Sequence, residues 1–259
     1  MEKGGALMIG NVFGWLTDAA HWRSTNFDTG IWSQLGSHVF FCAIALVISL
    51  VVALPVGLWI GHSGRATWIV TAANALRALP TVGVIVLLVV IIAPHFYGAT
   101  NKGYLIPTEI VLVLLAIPPI LSNTFAGVQN VSPAVRDAAF GMGMTESQVL
   151  YRVELPNALP LIFSGLRSAT LQVIATATIA AYVTLGGLGR FIYDGLAQQD
   201  YPQMISGGLL VAALALVADL LLALAQRYTV SPGLTGRTTR SRQKGADSRV
   251  AIVTEELAG

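Results

Sequence analysis

Residues able to do chemistry are sparse in this chain, and those that cluster do so between positions 132 and 156. Arg136, Asp137, Glu146, Arg152 and Glu154 fall in that stretch, and the residues around them are spaced as two short helices. Ser132 stands where it can cap the first helix, and Pro133 suits its first position. Val135, Ala138, Ala139 and Met142 recur at the spacing of one helical face. Gly141 and Gly143 are expected to stop that helix. Thr145 and Gln148 have the spacing of a capping box, Met144 and Val149 that of a hydrophobic staple. Leu155-Pro156 is expected to close the second helix. Three carboxylates against two arginines give no basic face for nucleic acid. Docking to a protein partner is one reading that remains. A capped helix pair with an apolar stripe is also a common surface element, and the residues by themselves leave that reading open.

Catalytic constellations are missing elsewhere. No Gly-x-x-x-x-Gly-Lys-Ser/Thr run is present to cradle nucleotide phosphates. His21, His38, His62 and His95 are scattered, without metal-site spacing. Cys42 is the one cysteine, which excludes an intrachain disulfide. No cofactor is called for, and nothing pairs a nucleophile with a base.

The elements that must position the helix pair are apolar. The 259 residues are 54% hydrophobic and 11% charged, with a mean hydropathy of +0.69, whereas soluble domains carry about 25% charged residues. The expectation is an all-α integral membrane protein. About 20 apolar residues cross the hydrocarbon core, and five stretches approach that length: 39–60, 68–93, 105–121, 161–183 and 204–225. Pro55, Pro80 and Pro118-Pro119 fall inside them, which predicts kinks or breaks supported by neighbouring helices.

Lysine and arginine set the expected orientation. With five spans, Arg65, Arg136, Arg152, Arg227, Arg237, Arg240, Arg242, Lys244 and Arg249 share one side, against Lys3, Arg23, Lys102 and Arg190 on the other. The helix pair and the carboxy terminus are then cytoplasmic and the amino terminus is outside. Residues 1–36, with Trp15, Trp22 and Trp32, read as an external segment at the headgroup level. Residues 37–227 form the membrane domain, with a cytoplasmic loop at 124–159. The tail, 228–259, is basic and too polar to build a core, so disorder is expected there.

Ionisable side chains inside a bilayer are costly and tend to face a cavity or each other. Arg77 and Asp219 stand out, both about 10 to 15 Å from the cytoplasmic side at ~1.5 Å per residue. They are read as a structural ion pair, or with Arg77 reaching to the interface instead, or as a pair that forms in a single transport state. Asn123, Gln172, Thr176 and Thr178 could contact a passing solute or hydrogen-bond between helices. Gly186, Gly187 and Gly189, followed by Tyr193 on an amphipathic stretch, form a candidate landing site on the outer face. A lipid-facing hairpin is the alternative.

The helix pair also carries a family resemblance. Asp137-Ala138-Ala139, then Gly143, then Val153-Glu154-Leu155-Pro156 is similar to the EAA loop of ABC-importer permeases: Glu-Ala-Ala, a glycine four residues on, nine residues, then Ile-x-Leu-Pro. Asp137 replaces the glutamate and Val153 the isoleucine. The stretches 16–22, 74–81, 116–124 and 175–189 resemble the glycine betaine, choline and carnitine branch, in particular its actinobacterial members. The resemblance implies a type I importer permease fold, with a coupling helix pair that fits a cleft on the ATPase. It implies Asp137, Ala138, Ala139, Gly143, Met144, Val153, Leu155 and Pro156 as the coupling loop. The implied partners are a cytoplasmic ABC ATPase, an external solute-binding protein, a second permease chain and the lipid bilayer. Methionine transport, or a membrane scaffold for a cytoplasmic enzyme, are the alternative readings.

Overall fold

The computed structural model describes residues 2–24, 30–96, 102–183 and 185–231. The expected disorder of the tail and its basic cluster at Arg237 to Lys244 fall outside them. Within the described residues the regular elements are all helical.

The chain begins with α1 (Glu2–Thr17) and a short α2 (Ala19–Trp22), then α3 (Ile31–Ser63). α4 (Trp68–Ala75) runs into a 3-10 turn (Leu76–Ala78), and α5 (Thr81–Ile92) into another (Ala93–His95). α6 (Lys102–Gln129) precedes the short pair α7 (Pro133–Gly141) and α8 (Glu146–Val149). A π-helical turn (Leu150–Glu154) leads into α9 (Leu155–Ala177), which ends in a 3-10 segment (Thr178–Val183). α10 (Gly189–Gln198) and α11 (Tyr201–Thr229) complete the fold.

Four helical runs among the described residues are long and apolar enough to cross a membrane: α3, α6, Glu146–Val183 and α11. The fifth expected span is a broken one, because α4 and α5 meet at a 90° bend. Pro80 causes the break. It forces Leu79 out of the helical region, to φ −71° and ψ 133°, as the residue before a proline is normally forced. Pro55, Pro118 and Pro119 lie inside continuous helices instead.

α6 is the central span, packed by α3 on one side and α9 on another. Small residues let the backbones approach. A Cβ on Gly57 would come within 2.8 Å of Thr124, one on Gly61 within 2.7 Å of Val128, and one on Gly165 within 2.6 Å of the Pro119 carbonyl oxygen. Ala45, Ala53, Leu112, Ala116, Ala169 and Val173 fill the space between these helices. α5 lies against α6 through Ile85, Val111 and Leu115. α11 buries little, with only Ser206 and Gly207 enclosed.

The amino-terminal segment is more structured than its sequence indicates. Gly10-Asn11 does not interrupt α1, which packs along α11. Trp15 meets Phe191 edge-on at 5.4 Å, and Trp22 lies 5.2 Å from Trp32. With Ile31 and Leu188 these rings close the end of the bundle that carries α10.

Candidate functional site

α7 and α8 stand at the opposite end of the bundle, between α6 and α9. Ser132 takes the N-cap position of α7 with Pro133 just inside, but its side chain makes no capping bond. The other end of α7 is a complete Schellman turn. Met144 N–H donates to the Ala139 carbonyl at 3.2 Å and Gly143 N–H to the Phe140 carbonyl at 2.9 Å. Gly143 supplies the left-handed residue this needs, with φ +82°. The capping box of α8 is formed: Gln148 N–H donates to the Thr145 hydroxyl at 3.4 Å, and Thr145 N–H to the Gln148 side chain at 2.9 Å.

Pro156 does not close the second helix. The chain passes through the π turn and continues as α9, so that 146–183 is one helical run. Leu155 N–H bonds to the Leu150 carbonyl, five residues back. The wider turn takes up the proline, which has no N–H to give and whose ring would crowd a tighter one.

Most of the stripe on α7 faces outward. Of Val135, Ala138, Ala139 and Met142, only Ala139 is buried. Val135, Phe140, Met142 and Tyr151 are exposed, beside an exposed Asp137. Such an apolar surface with one acidic edge suits a protein partner.

Behind this surface lies a charge cluster that the sequence did not reveal. Glu154 is 1% exposed. Its Oε1 is 2.8 Å from Arg136 Nε and its Oε2 is 2.7 Å from His62 Nδ1. A carboxylate only accepts, so Nδ1 carries the proton here.

The polar residues assigned to a path do not form one group. Asp219 meets Arg167 of α9, with Nε to Oδ1 and Nη2 to Oδ2 both at 2.7 Å. The expected pairing with Arg77 is not present, because Arg77 lies exposed in the 3-10 turn before the Pro80 bend. Asn123 donates to the Pro119 carbonyl at 2.8 Å, and the Thr178 hydroxyl to the Ala175 carbonyl at 2.7 Å. Gln172 and Thr176 are half-buried on α9. Glu109, on α6, is a buried carboxylate inside a span whose oxygens have no hydrogen-bond partner among the described residues. The signal for it was plain: an acidic residue in an otherwise apolar stretch. A cleft of about 460 Å³ between α3, α4 and α6, lined by Val52, Ile69, Ala73 and Ile117 among others, is almost wholly apolar.

The glycine segment is tied inward. Gly186 and Gly187 have φ of +85° and +87°. Gly187 N–H donates to Gln34 Oε1 at 2.6 Å and Leu188 N–H to His38 Nδ1 at 3.3 Å. The other His38 nitrogen then donates to the Ile174 carbonyl, at 3.1 Å. Gly187 is buried against His38, and a Cβ on Gly189 would overlap the Thr178 carbonyl. Tyr193 remains half-buried on α10, 5.8 Å from the exposed Tyr182.

Comparison with known proteins agrees with this architecture. Residues 53–230 match the family described as binding-protein-dependent transport system inner membrane component. The carnitine transport permease protein OpuCB of Listeria monocytogenes is 33% identical over 187 residues, covering 72% of this chain and 82% of the relative. The osmoprotectant import permease protein OsmW of Salmonella typhimurium is 33% identical over 186 residues, covering 71% and 85%. Among solved structures, the inward-facing MetNI methionine ABC transporter superposes with a TM-score of 0.63 at 17% identity, covering 76% of this chain and 95% of that one. That likeness speaks for the fold, a type I importer permease. A broken span, a central α6 and an exposed helix pair between the third and fourth spans are thus the parts of a multi-pass transport subunit, and the chain belongs to the family of inner-membrane components of binding-protein-dependent transport systems.

Proposed function

We propose that this permease carries a small zwitterion or quaternary amine of the osmoprotectant class, such as glycine betaine, choline or carnitine, into the cell. The similarity to carnitine and osmoprotectant permeases over more than two thirds of the chain carries this reading. Energy comes from ATP hydrolysed by a separate subunit, which seats on the exposed Val135, Phe140, Met142 and Tyr151 beside Asp137. Closure of two such ATPases draws two α7–α8 pairs together and favours one orientation of the pathway, and hydrolysis resets it. A second permease chain completes the pathway. α11 and the broken span α4–α5 expose the apolar faces it would cover or leave to lipid.

The excess of basic residues on the α7 side supports a cytoplasmic helix pair, an external amino terminus and a cytoplasmic carboxy terminus. A solute receptor then meets the α10 end, where Tyr182 and Tyr193 are offered while Gly186, Gly187 and Gly189 hold the turn together.

The test is uptake into proteoliposomes containing the permease, its ATPase and its receptor, with ATP supplied on the ATPase side. Accumulation of labelled glycine betaine, choline or carnitine is expected. Accumulation of methionine alone would move the substrate to another class, and receptor-independent ATPase with no uptake would make the chain a scaffold.

A further inference from the structure

Four elements meet around one carboxylate at the α7 end of the bundle. Glu154 closes the π turn that feeds α9. It is in ion-pair contact with Arg136 of α7 and His62 in the last turn of α3, at 2.8 and 2.7 Å. Arg136 Nη2 also donates to the Val128 carbonyl near the end of α6, at 2.6 Å. Gln129 Nε2 donates to the Gly61 carbonyl at 2.6 Å and so ties α6 to α3.

The three spans need little help to stay together here. Leu58, Val128, Ala158 and Ile162 interlock between them, and a Cβ on Gly127 would come within 3.0 Å of Ala158. α7 is different. It buries a single side chain, the methyl group of Ala139. So small a contact cannot hold a helix that must bear force, and Arg136 is the side chain that reaches from α7 into the packed ends.

We propose that Glu154 is the positioning residue that makes α7 one rigid body with the ends of α3, α6 and α9. A displacement of α7 then passes to the spans and is not lost as rotation about the Gly143 turn and the link at 130–132. The carboxylate suits this role because it has two oxygens and engages a different element with each. Burial keeps water from competing for them. This rests on the proposed ATPase seat at α7.

The test uses the full complex in lipid, with spin labels at A134C and R65C, both exposed positions, and with the buried Cys42 replaced by alanine. The unaltered network gives one narrow distance between α7 and the turn just beyond α3, with and without nucleotide. In Glu154→Gln that distance broadens, and solute taken up per ATP hydrolysed falls roughly two- to thirtyfold, while the ATPase still co-purifies. Glu154→Asp, which reaches one partner at a time, recovers part of the ratio. A narrow distance with a normal uptake ratio in Glu154→Gln overturns the proposal. Should Glu154→Gln not reach the membrane, Arg136→Gln carries the same two readouts, and normal values there overturn it equally. If the parent complex moves no quaternary amine, the substrate assignment fails, but the distance still decides the role of Glu154.

Discussion

Arg167 and Asp219 are joined as a two-pronged fork across α9 and α11, both contacts at 2.7 Å. α11 also packs along α1, α9 and α10, but it encloses few of its own side chains. Ser206 and Gly207 are enclosed near its start, and Gln226 reaches the Pro160 carbonyl at 3.5 Å near its end. The fork is therefore the mid-length clamp on a helix that is otherwise greased on all sides. Breaking one half leaves an unmatched charge among apolar side chains, whereas replacing both with apolar residues removes the problem. Asp219→Asn is expected to lower the amount of tagged protein in the membrane severalfold. The double variant Arg167→Met, Asp219→Leu is expected to recover most of it. Arg77→Gln, away from the clamp, is expected to leave the amount unchanged, as a quantitative blot of membranes will read.

Gly143 is held by its backbone alone. Its φ is +82°, and a Cβ there would meet nothing within 4 Å. Substitution therefore costs conformational strain without a clash, about 1 kcal/mol for alanine. Asparagine tolerates this region better than alanine, and β-branched residues tolerate it worst. Retention of the ATPase on the purified permease is expected to fall in the order Gly, Asn, Ala, Val. An order set by side-chain volume would point instead to a steric contact with the partner.

The helix crossings make a contrast among glycines. Gly61→Ala and Gly165→Ala force a methyl group against a neighbour at 2.7 and 2.6 Å, and overpacking of this kind costs about 1–3 kcal/mol. Gly208 lies on α11 with nothing within 4 Å. There alanine removes chain freedom from the unfolded state and adds about 0.5–1 kcal/mol to helix stability. Thermal midpoints in detergent are expected to fall for the first two and to hold or rise for Gly208→Ala.

What the sequence made legible follows the distance over which each feature is decided. The capping box closes between Thr145 and Gln148, and the turn at Gly143 uses atoms within five residues, so local pattern was enough. The Pro80 break is local too. His62 and Glu154 are 92 residues apart, and Arg167 and Asp219 are 52 apart. Those pairs exist because α3, α6, α9 and α11 pack in one register, which periodicity does not supply. Arg167 is also a charge inside the 161–183 stretch, but similar depth pairs Asp219 with Arg77 in the sequence. Pro156 departs from its expected role for a related reason. A proline is a stop signal to local rules, and the π turn that carries the helix past it leaves no mark in composition.

The last prediction concerns the end that carries α10. His38 is fully buried and uses both ring nitrogens, one accepting from Leu188 N–H and the other donating to the Ile174 carbonyl. His38→Ala would leave the buried Leu188 N–H without its partner, at about 1–3 kcal/mol. Because the Leu188 bond anchors the turn before α10, loss is expected to loosen that helix before it unfolds the bundle. The measurable sign is faster hydrogen exchange across 189–198 with little change in α6. If Tyr182 and Tyr193 serve the receptor, His38→Ala will also lower receptor-stimulated ATPase activity while leaving basal activity near its usual level. Equal acceleration of exchange in α6 would mean that the histidine supports the whole core and not the turn.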